Sequence, residues 1–318
     1  MSAPVTAAVL SYDGRHLLEV LLPSLTEQTL SGFQILVVDN GSSDGTAAWL
    51  ETEWPGIDVV CLPENVGVTA ALNACVRAAA GSELVALLNN DLELEPTCLA
   101  ELARALDAHP EAGSAGAKLV SFADRKTLDG AGDVLDWAGT GWRRGHGEPD
   151  DGRYDEPQEI FGACGGAAMY RRAALDDVGP FDEAFFAFAE DTDWALRARL
   201  AGWTCRYVPS AVAYHVGSAT IGAGMSDFTR YHLWRNAIWM VAKDYPIEAL
   251  VRHLPRILYV QAAQLYVAGR EGKLGLWGRI VRDAARGLPG ALRRRRSVQA
   301  TRRVTVRELE RAVARGRN

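Results

Sequence analysis

The sequence predicts an α/β fold: a mostly parallel central sheet, Rossmann-like, with helices on both faces. Three observations carry this. Apolar runs alternate with helical stretches through residues 5–91, and the connections between them are short. Several runs end in polar groups, at Ser11, Asp39 and Asn89-Asn90-Asp91. In an open α/β sheet those carboxyl ends are where ligands bind.

Taken in order, Val-Thr-Ala-Ala-Val-Leu at 5–10 reads as a first strand and Ser11-Tyr12-Asp13-Gly14 as a turn. Leu17, Leu18, Leu21, Leu22 and Leu25 then recur at helical spacing. Residues 33–38 form a second strand, and Ser43 or Asp44 caps the helix that follows. A short strand at 58–62 leads through Glu64-Asn65-Val66-Gly67 into a helix that Gly81 stops. Leu84–Leu88 is a buried strand ending at Asp91. Residues 122–158 are rich in Gly, Asp, Trp and Arg with weak periodicity, and read as a long excursion over the cleft. Order returns with a glycine strand at 162–170, a helix from Glu190 to about Ala201, a strand at 203–208, and His215 soon after. Beyond Pro246 the pattern is helical and basic. The expected division is 1–245 and 246–318, with no internal repeat.

The composition, 48% hydrophobic and 23% charged, is that of an ordinary globular protein. Five widely spaced cysteines (Cys61, Cys75, Cys98, Cys164, Cys205) with no CxxC argue for reduced thiols and against a disulfide framework or a zinc ribbon. No basic stretch followed by a long apolar run opens the chain, so a secretory signal is not expected, and with no window of about 18 uninterrupted apolar residues neither is a transmembrane helix. The net charge of −6 is uneven: residues 251–318 hold 17 Lys+Arg against 4 Asp+Glu, a balance of +13, leaving −19 on the first 250.

A carboxylate at a strand end, flanked by carboxamides, suits Mg2+ or Mn2+ carrying a phosphate ligand. Asp91, with Asn90 beside it, is therefore the centre of the expected site. Asp39 is placed to accept from the imide N–H of uracil or thymine, and Asn65 and Asn73 to contact base or ribose. Asp191 is a second carboxylate able to take a proton from an incoming hydroxyl. Each piece alone also reads as ordinary structure: a polar turn, a capping turn, an acidic first helical turn. Their joint order is more specific than any one of them.

That order resembles a known family. Val38–Thr46, Glu64-Asn65-Val66-Gly67 with Asn73, and Leu88–Asp91 are similar to the nucleotide-binding half of family 2 glycosyltransferases of GT-A fold. Gly162–Arg172, Gly179–Glu183, Phe185–Trp194, Ala201-Gly202-Trp203 and Tyr214-His215 resemble their acceptor half, nearest the bacterial rhamnosyltransferase-like group. The resemblance covers about residues 5–245. It implies that Ser11, Tyr12 and Asp39 grip the nucleoside, that Asp91 is the last acid of the DxD element, and that Asp191 is the catalytic base with Glu190 beside it. It implies that His215 completes the metal site, and that Gly165, Gly166, Glu190 and Trp194 line the acceptor side. The implied enzyme is inverting and uses Mg2+ or Mn2+ with a UDP- or dTDP-sugar, dTDP-rhamnose among them. Its acceptor is a glycan or polyprenyl-diphosphate-linked glycan of the cell envelope. One departure stands out: the DxD element here is Asn89-Asn90-Asp91, with a single carboxylate.

The basic C-terminal region, with Ile257, Leu258, Val260, Leu265 and Val267 among arginines, reads as amphipathic helix able to lie on an anionic membrane. The expectation is a cytoplasmic protein, peripheral to the membrane if this region docks there, the other reading being a solvated, partly disordered terminus. No interleaved aromatic motif supports nucleic-acid binding. Two other classes stay open: a sugar nucleotidyltransferase, for which Ser11-Tyr12-Asp13-Gly14-Arg15 makes a poor triphosphate loop, and a silent nucleotide-binding module.

Overall fold

The structure, a computed structural model, describes residues 4–217 and 225–315. Strands β1 (Val5–Ser11), β2 (Gln34–Asp39), β3 (Asp58–Cys61) and β4 (Leu84–Asn89) alternate with helices α1 (Arg15–Thr26), α2 (Thr46–Glu53) and α3 (Val68–Ala78). They form a parallel sheet in the order β4-β1-β2-β3, with Ser11 opposite Asp39 and Leu10 opposite Asn89. The strand ends are thus level and the polar residues after them share one rim. Leu84–Leu88 are all buried, as expected of a strand covered on both faces.

The second half contains more structure than the sequence reading placed there. After β5 (Leu92–Leu94) come α4 (Cys98–Ala108) and β6 (Ala112–Ser121), then three short strands within the stretch read as an excursion: β7 (Leu128–Gly130), β8 (Asp133–Leu135) and β9 (Gly141–Arg143). Strands β10 (Gln158–Ile160) and β11 (Ala167–Arg171), helices α5 (Arg172–Val178) and α6 (Glu190–Leu200), and β12 (Thr204–His215) complete the body. β11 lies antiparallel between β4 and β6, while β12 is parallel to β6. β6 is built from Ala and Gly, poor strand formers. It needs them, because a Cβ on Gly113 or Gly116 would crowd Ala174 or Ala163.

Apolar side chains cover both faces of the sheet. One face packs Leu18, Leu21, Leu22 and Leu25 of α1 with Leu99, Leu102 and Leu106 of α4. The other packs Leu72 and Cys75 of α3 with Leu175 and Trp194. Each fully buried leucine contributes about 1.5–3 kcal/mol. The C-terminal helices α7 (Asp227–Asp244), α8 (Ile247–Arg270), α9 (Leu274–Ala300) and α10 (Val306–Arg315) add a third cluster, in which Trp239, Met240, Tyr245, Ala291, Val298 and Leu309 meet Leu196 and Leu200 of α6.

The arginine-rich end is therefore not a solvated arm. Arg303 pairs with Asp177 at 2.7 Å, Arg256 with Asp136 at 3.1 Å and Arg294 with Asp182 at 3.0 Å, so part of its charge is spent holding the helices to the acidic body. Among the described residues, no helix is long and apolar enough to cross a membrane. All five cysteines are free.

Candidate active site

The loops after β1 and β2 are laced together by short polar contacts. The Ser43 amide donates to Asp13 at 2.7 Å, the Asp13 amide to Ser42 Oγ at 2.8 Å, and the Arg15 amide to Asp44 at 3.0 Å. Asp13 has a φ of 45°, a conformation that Asp tolerates better than most residues. Asp39 is buried, and Ser42 donates to its Oδ1 from both amide and hydroxyl. Asn40 and Asn65 brace the next loop: Asn40 Nδ2 donates to Asn65 Oδ1 at 3.1 Å, which also accepts from the Gly67 amide. Ser11 is buried and its Oγ accepts from Asn90 Nδ2 at 3.0 Å. Gly14 makes room for that carboxamide, since a Cβ there would overlap it. Tyr12 is half exposed at the rim.

Asp91 and His215 meet because β5 pairs antiparallel with β12, setting Leu92 opposite His215. His215 Nε2 lies 3.1 Å from Asp91 Oδ1, a buried oxygen with no other partner among the described residues. His215 Nδ1 lies 2.7 Å from Asp129 Oδ2. Burial alone would depress the imidazole, but the carboxylates of Asp129 and Asp91 outweigh it and hold its pKa up at about 9. A metal would displace that proton. The donor set fits a hard cation. Neighbouring ligands of an octahedral ion with bonds of about 2.1 Å lie roughly 3 Å apart, close to the observed spacing. Asp129 supplies the outer carboxylate that usually fixes a metal-binding histidine. Among the described residues no set of three His, Cys, Asp or Glu converges on one point. The protein thus offers two ligands, and phosphate and water would supply the rest, as is common for Mg2+.

Asp191 stands at the first turn of α6. Its Oδ2 accepts from the Gly165 amide at 3.2 Å and its Oδ1 from the Thr192 amide at 2.6 Å. Gly165 is needed there, since a Cβ would press on the carboxylate at 3.1 Å. The next carbonyl, of Gly166, accepts from the Asn89 amide at 2.9 Å, so one glycine segment touches both Asp191 and the end of β4. The buried carboxyl of Asp133 is pushed well up by burial and by the charge of Asp191, and hydrogen-bonds to it. Glu190 is pushed up to about 8 by burial and by Asp191 and Asp193. Arg143, opposite Asp133 on the β8–β9 hairpin, also pairs with Asp129. A run of ionisable groups therefore connects the two ends of the site: Asp91, His215, Asp129, Arg143, Asp133, Asp191.

The chain before α6 is strained. Phe186, Phe188 and Ala189 all have φ near +65°, each costing about 1–3 kcal/mol and persisting only because the surroundings impose it. Asn236 of α7 imposes it. It is fully buried, and its Nδ2 reaches the carbonyls of Phe185, Ala187 and Phe188 at 2.8–3.2 Å.

Two expected site residues lie elsewhere. Asn73 is buried and saturated: its Nδ2 donates to the Phe181 carbonyl and to Glu183, and its Oδ1 accepts from the Phe181 amide at 2.9 Å. It clamps the 181–183 loop and has no donor left for a base or ribose. Trp194 is 1% exposed, edge-on to Tyr170 in the core, so no acceptor can reach it. The acidic run itself divides, since Asp193 is turned inward onto Arg197 at 2.8 Å and Lys243 at 2.6 Å. Asp129, Asp133, Arg143 and Asn236 escaped the sequence reading. The first three come from the stretch read as a long excursion over the cleft, and nothing in their spacing marks them.

The profile of the family described as Glycosyl transferase family 2 matches residues 6–179. The N-acetylglucosaminyl-diphospho-decaprenol L-rhamnosyltransferase of Mycobacterium tuberculosis is 30% identical over 253 residues, covering 72% of this chain and 80% of that protein. An N-acetylglucosaminyltransferase of Mesorhizobium japonicum is 29% identical over 225 residues, 66% of this chain and 50% of its own. Among solved structures, GalNAc-T7 with UDP, GalNAc and Mn2+ aligns with a TM-score of 0.60 at 15% identity, over 76% of this chain and 48% of that longer one. The mannosyltransferase PcManGT from Pyrobaculum calidifontis, in complex with GDP-Man and Mn2+, aligns at 0.53 and 21% identity, over 99% of this chain and 87% of its own. At such identities these two likenesses establish the GT-A fold alone.

Proposed function

The chain belongs to glycosyl transferase family 2, in its rhamnosyltransferase-like group, and on that footing we propose an inverting, metal-assisted transfer of a sugar, rhamnose from dTDP-rhamnose being the leading case, to a lipid-linked glycan. It is a glycosyltransferase that draws on a nucleotide sugar. The finer reading rests chiefly on one observation: a carboxylate, Asp191, is tied by Gly165 to the same glycine segment whose Gly166 carbonyl meets Asn89 at the end of β4.

In this reading Tyr12 covers the base, Asp39 accepts from its imide N–H, and Ser11 and Asn90 hold the ribose and diphosphate end. Asp91 and His215 hold Mg2+ or Mn2+, which when bound neutralises charge on the departing nucleoside diphosphate. Asp191 accepts the proton of the acceptor hydroxyl as its oxygen bonds to the anomeric carbon. The bond from that carbon to the diphosphate breaks on the opposite face, so the configuration inverts. Asp133 and Gly165 hold the Asp191 carboxylate in line for the attack. Glu190, protonated at neutral pH by its raised pKa, adds no second negative charge beside it. The acceptor glycan enters over Gly165 and Gly166. The relative from Mycobacterium tuberculosis is described as acting on a diphospho-decaprenol acceptor. A comparable polyprenyl-diphosphate acceptor would bring this enzyme to the cytoplasmic face of the membrane.

The test is to measure binding of UDP, dTDP, GDP and CDP to the protein with and without Mn2+, and transfer by Asp191→Asn. Mn2+-dependent stabilisation by dTDP or UDP, with transfer abolished and donor binding retained in the variant, is expected. Normal turnover by Asp191→Asn would remove the base assignment. Equal binding with and without metal would remove Asp91 and His215 as metal ligands.

A further inference from the structure

Helix α8 packs on the body by a narrow side only. Ala249, Gln264 and Ala268 are buried, with Leu250 and Ile257 partly so, and at 100° per residue they fall on one flank. The opposite flank is apolar as well. Ile247, Val251, Leu254, Leu258 and Leu265 line up on it at i, i+4, i+7, i+11 and i+18, each 41–66% exposed. Tyr259 and Tyr266, both 64% exposed, run along its margin. From Ile247 to Leu265 this ridge is about 27 Å long at the helical rise. A contiguous apolar ridge of that length is not the scattered exposure normal to a protein surface, and marks an interaction site. The seam differs from the one the amphipathic pattern suggests: Ile257 and Val260 are half-buried, while Leu258 and Leu265 join Ile247, Val251 and Leu254 on the exposed ridge.

The net charge of the C-terminal region, rather than of the ridge itself, selects the occupant. After Glu248 every charged residue of α8 is cationic (Arg252, Arg256, Arg270), and residues 251–318 carry +13. Arg252 and Arg256 spend charge on Glu310 and Asp136, but Arg270, Arg293 and Arg296 are exposed. A second copy meeting the same ridge would set two such regions against each other. An anionic lipid surface complements them, and tyrosines at the margin suit its headgroup level.

We infer that the outer face of α8, formed by Ile247, Val251, Leu254, Leu258 and Leu265, lies flat in the interface of an anionic bilayer with its axis parallel to the membrane plane. This deepens the reading above, from which it takes the lipid-linked acceptor.

The test is co-sedimentation of the full chain with phosphatidylcholine vesicles, with and without about 30% phosphatidylglycerol. The double variant Val251→Gln/Leu258→Gln is compared alongside, with its melting temperature and its transfer to a water-soluble acceptor. Expected are binding to the anionic vesicles that weakens with salt, and binding roughly 10-fold weaker in the variant, with melting and soluble-acceptor transfer unchanged. Absence of vesicle binding, or equal binding by the variant, would overturn the proposal while leaving the transferase reading intact. A wild-type dimer that the variant dissociates would overturn it too, giving the ridge to a second copy. Vesicle binding that the variant loses, with no transfer to any acceptor by wild type, would sink the transferase reading and leave the docking face standing.

Discussion

The two halves of the site are built in different ways. The proposed donor half, residues 5–91, is assembled from the ends of parallel strands, and its polar groups contact partners at the end of the neighbouring strand in the sheet: Asp13 with Ser43, Asn40 with Asn65, Ser11 with Asn90. The half proposed for catalysis draws single residues from distant segments and joins them through ionisable groups: Asp129 from β7, Arg143 from β9, Asp191 from α6 and His215 from β12. A site made of level strand ends needs only the fold to be right. A site made of linked charges also needs each member present, because one buried charge without its partner costs several kcal/mol.

That contrast can be broken by experiment. Asp191→Asn should lower kcat by about 10²–10⁴-fold with KM for the donor nearly unchanged. A rise in donor KM of the same size would mean the halves are not separate. Asp129→Asn should cost roughly 10–100-fold in Mn2+ affinity, although it touches no nucleotide in the proposed pose. If titration gives wild-type affinity, the charge run is ornament rather than support.

A third test uses pH. Glu190 is raised from its ordinary 4.5 to about 8. Between those values the unfolded chain has released a proton that the folded chain keeps, so the contribution of Glu190 to stability falls as pH rises through that range. His215, raised from 6.5 to about 9, adds stability that is complete below 6.5 and lost as pH climbs to 9. Metal-free protein should therefore melt lower at pH 9 than at pH 6.5, and Glu190→Gln should melt about 2 °C or more above wild type at pH 8 but not at pH 4. Scanning calorimetry decides it; a gap independent of pH would remove Glu190 from the account. Finally, Gly14→Ala should raise donor KM by only about 3-fold, a loss of well under 1.4 kcal/mol, because it displaces one carboxamide. A larger loss of kcat would show that the donor half also reaches the chemistry.

The same contrast explains what could be read in advance. Strands β1 to β4 and their polar ends were legible because each is a local pattern: an apolar run followed by turn chemistry. The order along the chain singled out Asn89-Asn90-Asp91, Asp191 and His215, and the structure brings Asp91 and His215 together. Helix α4 carries an apolar spacing that was open to view and left unread, while β6 hides behind Ala and Gly. Asn73 and Trp194 stand in motif positions yet serve packing, because motif order does not tell which side of a helix a residue faces. Asp129, Asp133 and Arg143 were illegible for a physical reason: their partners are set by which strands pair, and three-residue strands leave no periodicity.

The halves share the β4–β11 pairing and both apolar cores, but two contacts between them depend on single residue types. Asn73 of α3 grips the backbone at Phe181, and Gly67 lies so close to Phe186 that any side chain on it would collide. The Thr69 amide donates to the Phe186 carbonyl at 3.2 Å across the same seam. A chimera that borrows its first ninety or so residues from a relative would therefore inherit a working nucleotide cradle only if the borrowed segment brings a glycine and an asparagine at these two places. Swapping donor preference by recombination is thus a matter of matching a seam, and the residues that decide it never meet the sugar.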